Sequence, residues 1–85
     1  MKEFKYAITD PEGIHARPAG LLVKVATGFK SKITIAKDGR EVDAKRIFGV
    51  MGLAAKMGQE IVIKADGEDE VEAIEAISEF LKTSL

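Results

Sequence analysis

Cysteine is absent from this chain. With it go disulfide staples, thiolate metal sites and cysteine nucleophiles, so an apolar core must supply the stability unaided. That suits a reducing compartment. Nor is there an apolar run near the ~18 residues of a membrane span, and the opening MKEFKYAI lacks a basic start followed by an apolar stretch and a small-residue cleavage site. A cytoplasmic protein without membrane insertion is expected. An excess of one charge is missing too. Thirteen Lys and Arg face fourteen Asp and Glu, a formal net charge of −1, which argues against nucleic-acid binding through the overall field. Histidine is nearly absent, with a single one at position 15.

What is present is a globular balance, 46% hydrophobic and 32% charged over 85 residues. That length allows one core, so one domain over 1–85 is expected. Phe4, Tyr6 and Ile8 alternate with charged or small residues at the period of a half-buried strand. After the break at TDPEG, Pro18 suits the first turn of a helix, and AGLLVKVATGF continues at helical period to Gly28. Ala19, Leu22, Val23 and Ala26 form its core face, and Arg17, Gly20, Leu21 and Lys24 fall opposite.

SKITIAKDGREVD reads as a hairpin turning at Asp38-Gly39. A short helix in RIFGVMGLAA, a turn at KMGQ and a strand in EIVIKA follow. In EDEVEAIEAISEFLKTSL, Asp69 and Glu72 have the spacing of a capping box, and Val71, Ile74, Ile77, Ser78 and Leu81 give a buried stripe widened by Ala73, Ala76 and Phe80. The order strand, helix, strand, strand, short helix, strand, helix predicts one sheet covered by helices on a single face.

The lone His15 lies in EGIHARPAG, at or just before a helix N-terminus. Backbone N–H groups there lack intrahelical partners and present partial positive charge. This field, with Arg17, favours a neutral, nucleophilic imidazole, and the N–H groups of Ala16 and Arg17 with the guanidinium suit an anion carried on the ring. Gly13 permits an unusual backbone angle, and Gly20 leaves space for an approaching surface. From the residues alone, a surface histidine with solvated Arg17 and Lys24 neighbours is the more ordinary outcome. A metal site is not expected, because a lone histidine lacks a second imidazole or thiolate.

GIHARPAG, with GVMGLAAKMG downstream, resembles the HPr family, the histidine-containing phosphocarriers of the bacterial phosphoenolpyruvate-dependent sugar phosphotransferase system. The likeness covers the whole chain in element order and length. It implies an α+β fold of βαββαβα order, an open-faced sandwich of one four-stranded antiparallel sheet with three helices on one face. It further implies that His15 accepts a phosphoryl group on Nδ1 from phosphorylated Enzyme I and passes it to sugar-specific IIA proteins, with Arg17 touching the phosphoryl group. Docking then falls to Gly20, Lys24, Arg46, Ile47, Phe48 and Met51, with Val50 and Leu53 facing the core and Lys45 joining the basic rim. Such a protein is a monomer without cofactor or metal, covalently modified rather than turning over a small substrate alone.

The chain departs from many Gram-positive members, which have a regulatory serine where it has Arg46, and a second serine where it has Gly52. Two other functions stay open at this point. One is a regulatory phosphorelay module on the same fold that feeds no sugar permease. The other, an RNA-binding sheet, needs aromatic residues on the open strands and a basic stripe.

Overall fold

The computed structural model describes residues 1–85. In chain order the elements are β1 (Lys2–Ala7), α1 (Ala16–Thr27), β2 (Lys32–Lys37), β3 (Arg40–Asp43), α2 (Ile47–Gly52), β4 (Glu60–Asp66) and α3 (Glu70–Ser84). The strands make one sheet in the order β1-β4-β2-β3, antiparallel at every pairing. This is the expected α+β open-faced sandwich.

Strand alternation decides which face is covered. Ile33 and Ile35 of β2 and Ile61, Ile63 and Ala65 of β4 have no exposed surface and join Ala19, Leu22 and Ala26 of α1, Val50 of α2, and Ala73, Ile77 and Leu81 of α3 in one core of 18 residues. Each large aliphatic side chain buried there contributes about 1.5–3 kcal/mol. Register carries the alternation across the sheet, since Phe4 sits opposite Ile63 and Tyr6 opposite Ile61, and both rings pack on the core. Their neighbours Glu3 and Lys5 therefore point to the other face, with Lys64 and Glu41, whose charged groups lie 3.5 Å apart. That face carries no aromatic residue: Phe4, Tyr6, Phe29 and Phe80 pack against the core and Phe48 belongs to α2. The requirement for an RNA-stacking sheet is not met.

The hairpin forms where expected, with Asp38 at φ 51° and Gly39 at φ 81°, the two positive angles a type I′ turn demands. On α1, Ala19, Leu22 and Ala26 are buried and Val23 is half-buried.

Two expectations for α3 need correction. Val71 is 47% exposed while Ala73 has no exposed surface, so the buried line runs through Ala73, Ile77 and Leu81 and misses Val71. Asp69 is the N-cap but makes no capping bond with its side chain. Its carboxylate turns instead to the segment before β2 and accepts hydrogen bonds from the backbone N–H groups of Lys30 (2.8 Å) and Ser31 (2.9 Å) and from the Ser31 hydroxyl. Glu70, not Glu72, reaches back, accepting the Gly67 N–H at 3.2 Å. No helix is long and apolar enough to cross a membrane.

Candidate functional site

His15 is the N-cap of α1, extended at φ −94° and ψ −177°, and its carbonyl accepts the first helical bond from Ala19 N–H at 3.0 Å. An N-cap side chain ordinarily accepts from the N–H of the second or third helical residue. Here the third is Pro18, which has no N–H, and the imidazole makes no capping bond. The ring is left free for other chemistry. Ala16 and Arg17, the first two helical residues, have N–H groups without a backbone acceptor. They are the two donors that anion binding at this terminus would use.

The approach to His15 is tightly built. The Gly13 N–H donates to Asp10 O (2.9 Å), the His15 N–H to Gly13 O (3.1 Å), and the Ile14 N–H to Ala55 O (3.0 Å). Gly13 stands at φ +67°, and a Cβ there would lie 2.3 Å from Ala55 O, so both angle and space require glycine. On the other side, the Leu85 carbonyl accepts from the N–H groups of Thr9 (2.6 Å) and Asp10 (2.9 Å) and from the Thr9 hydroxyl (2.8 Å). His15 and Arg17 line one open cleft with Asp10, Pro18, Leu21 and Ser84. His15 is 38% exposed.

Sequence reasoning overlooked two neighbours. Glu12 Oε2 lies 3.3 Å and Asp10 Oδ2 3.7 Å from His15 Nε2. Both residues stand in the loop before the helix, outside the helical wheel that sorted the other charges, although their nearness in sequence was the available signal. Their negative charge opposes the positive field expected at the ring. The three side chains bring potential ligand atoms within 4.8 Å of one another, a cluster assembled by the turn and not anticipated from the lone histidine.

The remaining candidates spread over α1 and α2. Gly20 is where the two helices meet, since a Cβ added there would be 3.7 Å from Ile47 Cδ1. Ile47 is half-buried and packs on the core, whereas Phe48 is 87% exposed and Met51 is also exposed. Val50 and Leu53 face inward as expected. Lys24 lies nine residues from His15, about 14 Å along the helix, and so belongs to the rim rather than to the ring. Arg17, Lys24 and Arg46 are exposed and enter no ion pair. Lys45 does not share that freedom: its ammonium donates to Phe29 O at 2.8 Å, near the C-terminal end of α1.

Comparison with known proteins agrees with this arrangement. The family profile described as the PTS HPr component phosphorylation site matches residues 2–83. The phosphocarrier protein HPr of Lysinibacillus sphaericus is 44% identical over 81 residues, covering 95% of this chain and 92% of that one. A solved histidine-containing phosphocarrier of Mycoplasma superposes with a TM-score of 0.95 at 43% identity, covering 98% and 94% of the two chains. Another, described as an HPr dimer from Thermoanaerobacter tengcongensis, gives a TM-score of 0.78 at 41% identity over 98% and 95%. With the sheet order, the histidine at the mouth of α1 and these matches in agreement, the chain belongs to the HPr family of phosphocarriers of the phosphotransferase system.

Proposed function

We propose that the chain acts as one domain that accepts a phosphoryl group on His15 Nδ1 from phosphorylated Enzyme I and delivers it to sugar-specific IIA proteins. The observation that carries this is the N-cap imidazole beside two unpartnered N–H groups and an unpaired guanidinium. In the transfer the Nδ1 lone pair forms a bond to phosphorus while the bond to the donor breaks, its electron pair leaving with the donor. The N–H groups of Ala16 and Arg17 and the Arg17 side chain take up the charge of the phosphoryl oxygens.

A carrier must also release its group. An exposed site with few ligands holds phosphate loosely, and most of the stabilisation then belongs to the transition state formed between two proteins. Docking is assigned to the exposed Phe48 and Met51 with Gly20 and Ile47 beneath them, rimmed by Lys24 and Arg46. Arg46 offers no hydroxyl to a serine kinase, so regulation by phosphorylation at that position is absent from this proposal. The carrier works as a monomer in the cytoplasm, with no cofactor of its own.

The test is incubation with Enzyme I and phosphoenolpyruvate followed by intact mass. One acid-labile phosphate is expected on the parent chain and none on a folded His15→Ala variant. Phosphate surviving in the variant, or missing from the parent, refutes the assignment. Onward transfer to a sugar-specific IIA protein separates this function from a regulatory phosphorelay, and native mass at working concentration reads the oligomeric state.

A further inference from the structure

The two carboxylates facing His15 Nε2 are too well placed by the backbone to be read as passing surface charges. Asp10 is fixed from three directions: its N–H donates to Leu85 O at 2.9 Å, its carbonyl accepts the Gly13 N–H at 2.9 Å, and its Oδ1 accepts the Glu12 N–H at 2.8 Å. Only Oδ2 remains, and it is the oxygen that faces Nε2 at 3.7 Å. The Glu12 carboxylate stands at 3.3 Å from the same nitrogen. Gly13, held against Ala55 O, fixes the short path from Glu12 to His15. Side-chain exposure is 26% for Asp10 and 74% for Glu12, so Asp10 is the more confined partner and Glu12 the nearer.

We propose that Glu12 and Asp10 are positioning residues that hold a proton on Nε2 of His15 and thereby present Nδ1 as the nucleophilic nitrogen. A neutral imidazole carries its proton on one nitrogen and its lone pair on the other. Two negative groups beside Nε2 favour the hydrogen there, which leaves the lone pair on Nδ1, the atom to which the proposed function assigns the phosphoryl group; the inference rests on that assignment.

The same placement acts on the charge created by transfer. When the Nδ1 lone pair bonds to phosphorus and the phosphorus–donor bond breaks, the ring gains one positive charge, spread onto Nε2–H. Carboxylates already in place stabilise that charge without rearrangement. They lie at Nε2, across the ring from the nitrogen that meets phosphate.

The other charged groups near this loop are Arg17 of α1, whose side chain lines the same cleft, and Lys56, in the segment that abuts Gly13. Arg17 serves the phosphoryl side. None of these is placed as a substitute for the pair at Nε2.

The experiment uses the full-length chain with 15N-labelled histidine and the variants Glu12→Gln, Glu12→Asp, Asp10→Asn and the double Asp10→Asn/Glu12→Gln. Long-range proton–nitrogen spectra of the neutral ring should show the Nε2–H form dominant in the parent and shifted toward the free-imidazole mixture in the double variant. With Enzyme I as donor, the rate of the transfer step should fall about threefold in Glu12→Gln and about tenfold in the double variant, the scale expected of exposed charges. KM should hardly move, and Glu12→Asp should recover part of the rate.

An unchanged tautomer balance in the double variant overturns the proposal, as does a loss confined to KM. Because Asp10→Asn also touches the turn, circular dichroism and the denaturation midpoint of each variant accompany the rates, and Glu12→Gln alone carries the test if Asp10→Asn unfolds. The spectra need no partner protein, so a chain that Enzyme I does not phosphorylate would sink the proposed function while the proton placement is still measured.

Discussion

A methyl group at position 13 would sit 2.3 Å from the Ala55 carbonyl oxygen and 2.9 Å from Lys56 Cα, on a backbone at φ +67°. The left-handed angle alone costs a side-chain-bearing residue about 1–2 kcal/mol. The overlap adds to this by pushing away the oxygen that accepts the Ile14 N–H. Gly13→Ala should therefore lose about 2 kcal/mol or more in chemical denaturation and transfer phosphate more slowly, because His15 moves with the loop. An unshifted midpoint would show that the loop relaxes freely. Phe48 is the opposite kind of residue. At 87% exposure it contributes little to the core, so Phe48→Ala should change stability by less than about 0.5 kcal/mol while raising the KM for Enzyme I. A loss of about 3–5 kcal/mol would mark it as a packed aromatic residue instead.

Among the elements, the start of α3 holds a contact that sequence alone misplaced. Hydrogen bonds from the Ser31 hydroxyl, then from the Lys30 and Ser31 backbone N–H groups, hold the Asp69 carboxyl down at about 2. A lowered carboxyl contributes stability in full above its unfolded value near 4 and loses it as pH falls through the folded value. The parent should accordingly be more stable than Asp69→Asn at neutral pH, with the difference shrinking between about pH 4 and pH 2. Urea midpoints measured across that range check it, and a difference independent of pH would assign the contact to packing alone.

The same contact shows where legibility ended. The hairpin was readable because Asp38-Gly39 carries its turn within two residues, and α1 because its apolar spacing repeats every turn. Asp69 reads locally as half of a capping box, because its actual partner Ser31 lies 38 positions away, beyond any local pattern. Val71 fits the helical period but falls outside the narrow line covered by the sheet and α1. At the site, His15 and Arg17 were legible from one motif, whereas the facing of Glu12 and Asp10 toward Nε2 depends on a turn closed against Ala55 and Leu85.

Over the whole molecule, a net charge of −1 conceals an uneven distribution. Arg17, Lys24 and Arg46 stand exposed and unpaired, while α3 exposes Glu72, Glu75 and Glu79. If the partner's facing surface is acidic, as the proposed docking requires, encounter is steered by the basic side chains and screened by salt. Raising ionic strength from about 0.05 to about 0.5 M, which shortens the screening length severalfold, should raise the KM for Enzyme I, with a shallower slope for Arg46→Ala. Equal slopes in parent and variant would remove Arg46 from the docking rim.

The strand order has a consequence in time. β1 is bonded only to β4, whose residues lie more than fifty positions further along the chain, while β2 and β3 close on each other across a two-residue turn. The hairpin can thus form early and cheaply, whereas β1 must wait for a distant segment whose closure carries a larger entropic cost. His15 shares that delay. It precedes both acceptors in the chain, yet its loop takes shape only when Ala55 and Leu85 arrive to accept the loop's hydrogen bonds, so the candidate site is one of the last parts of the fold to exist.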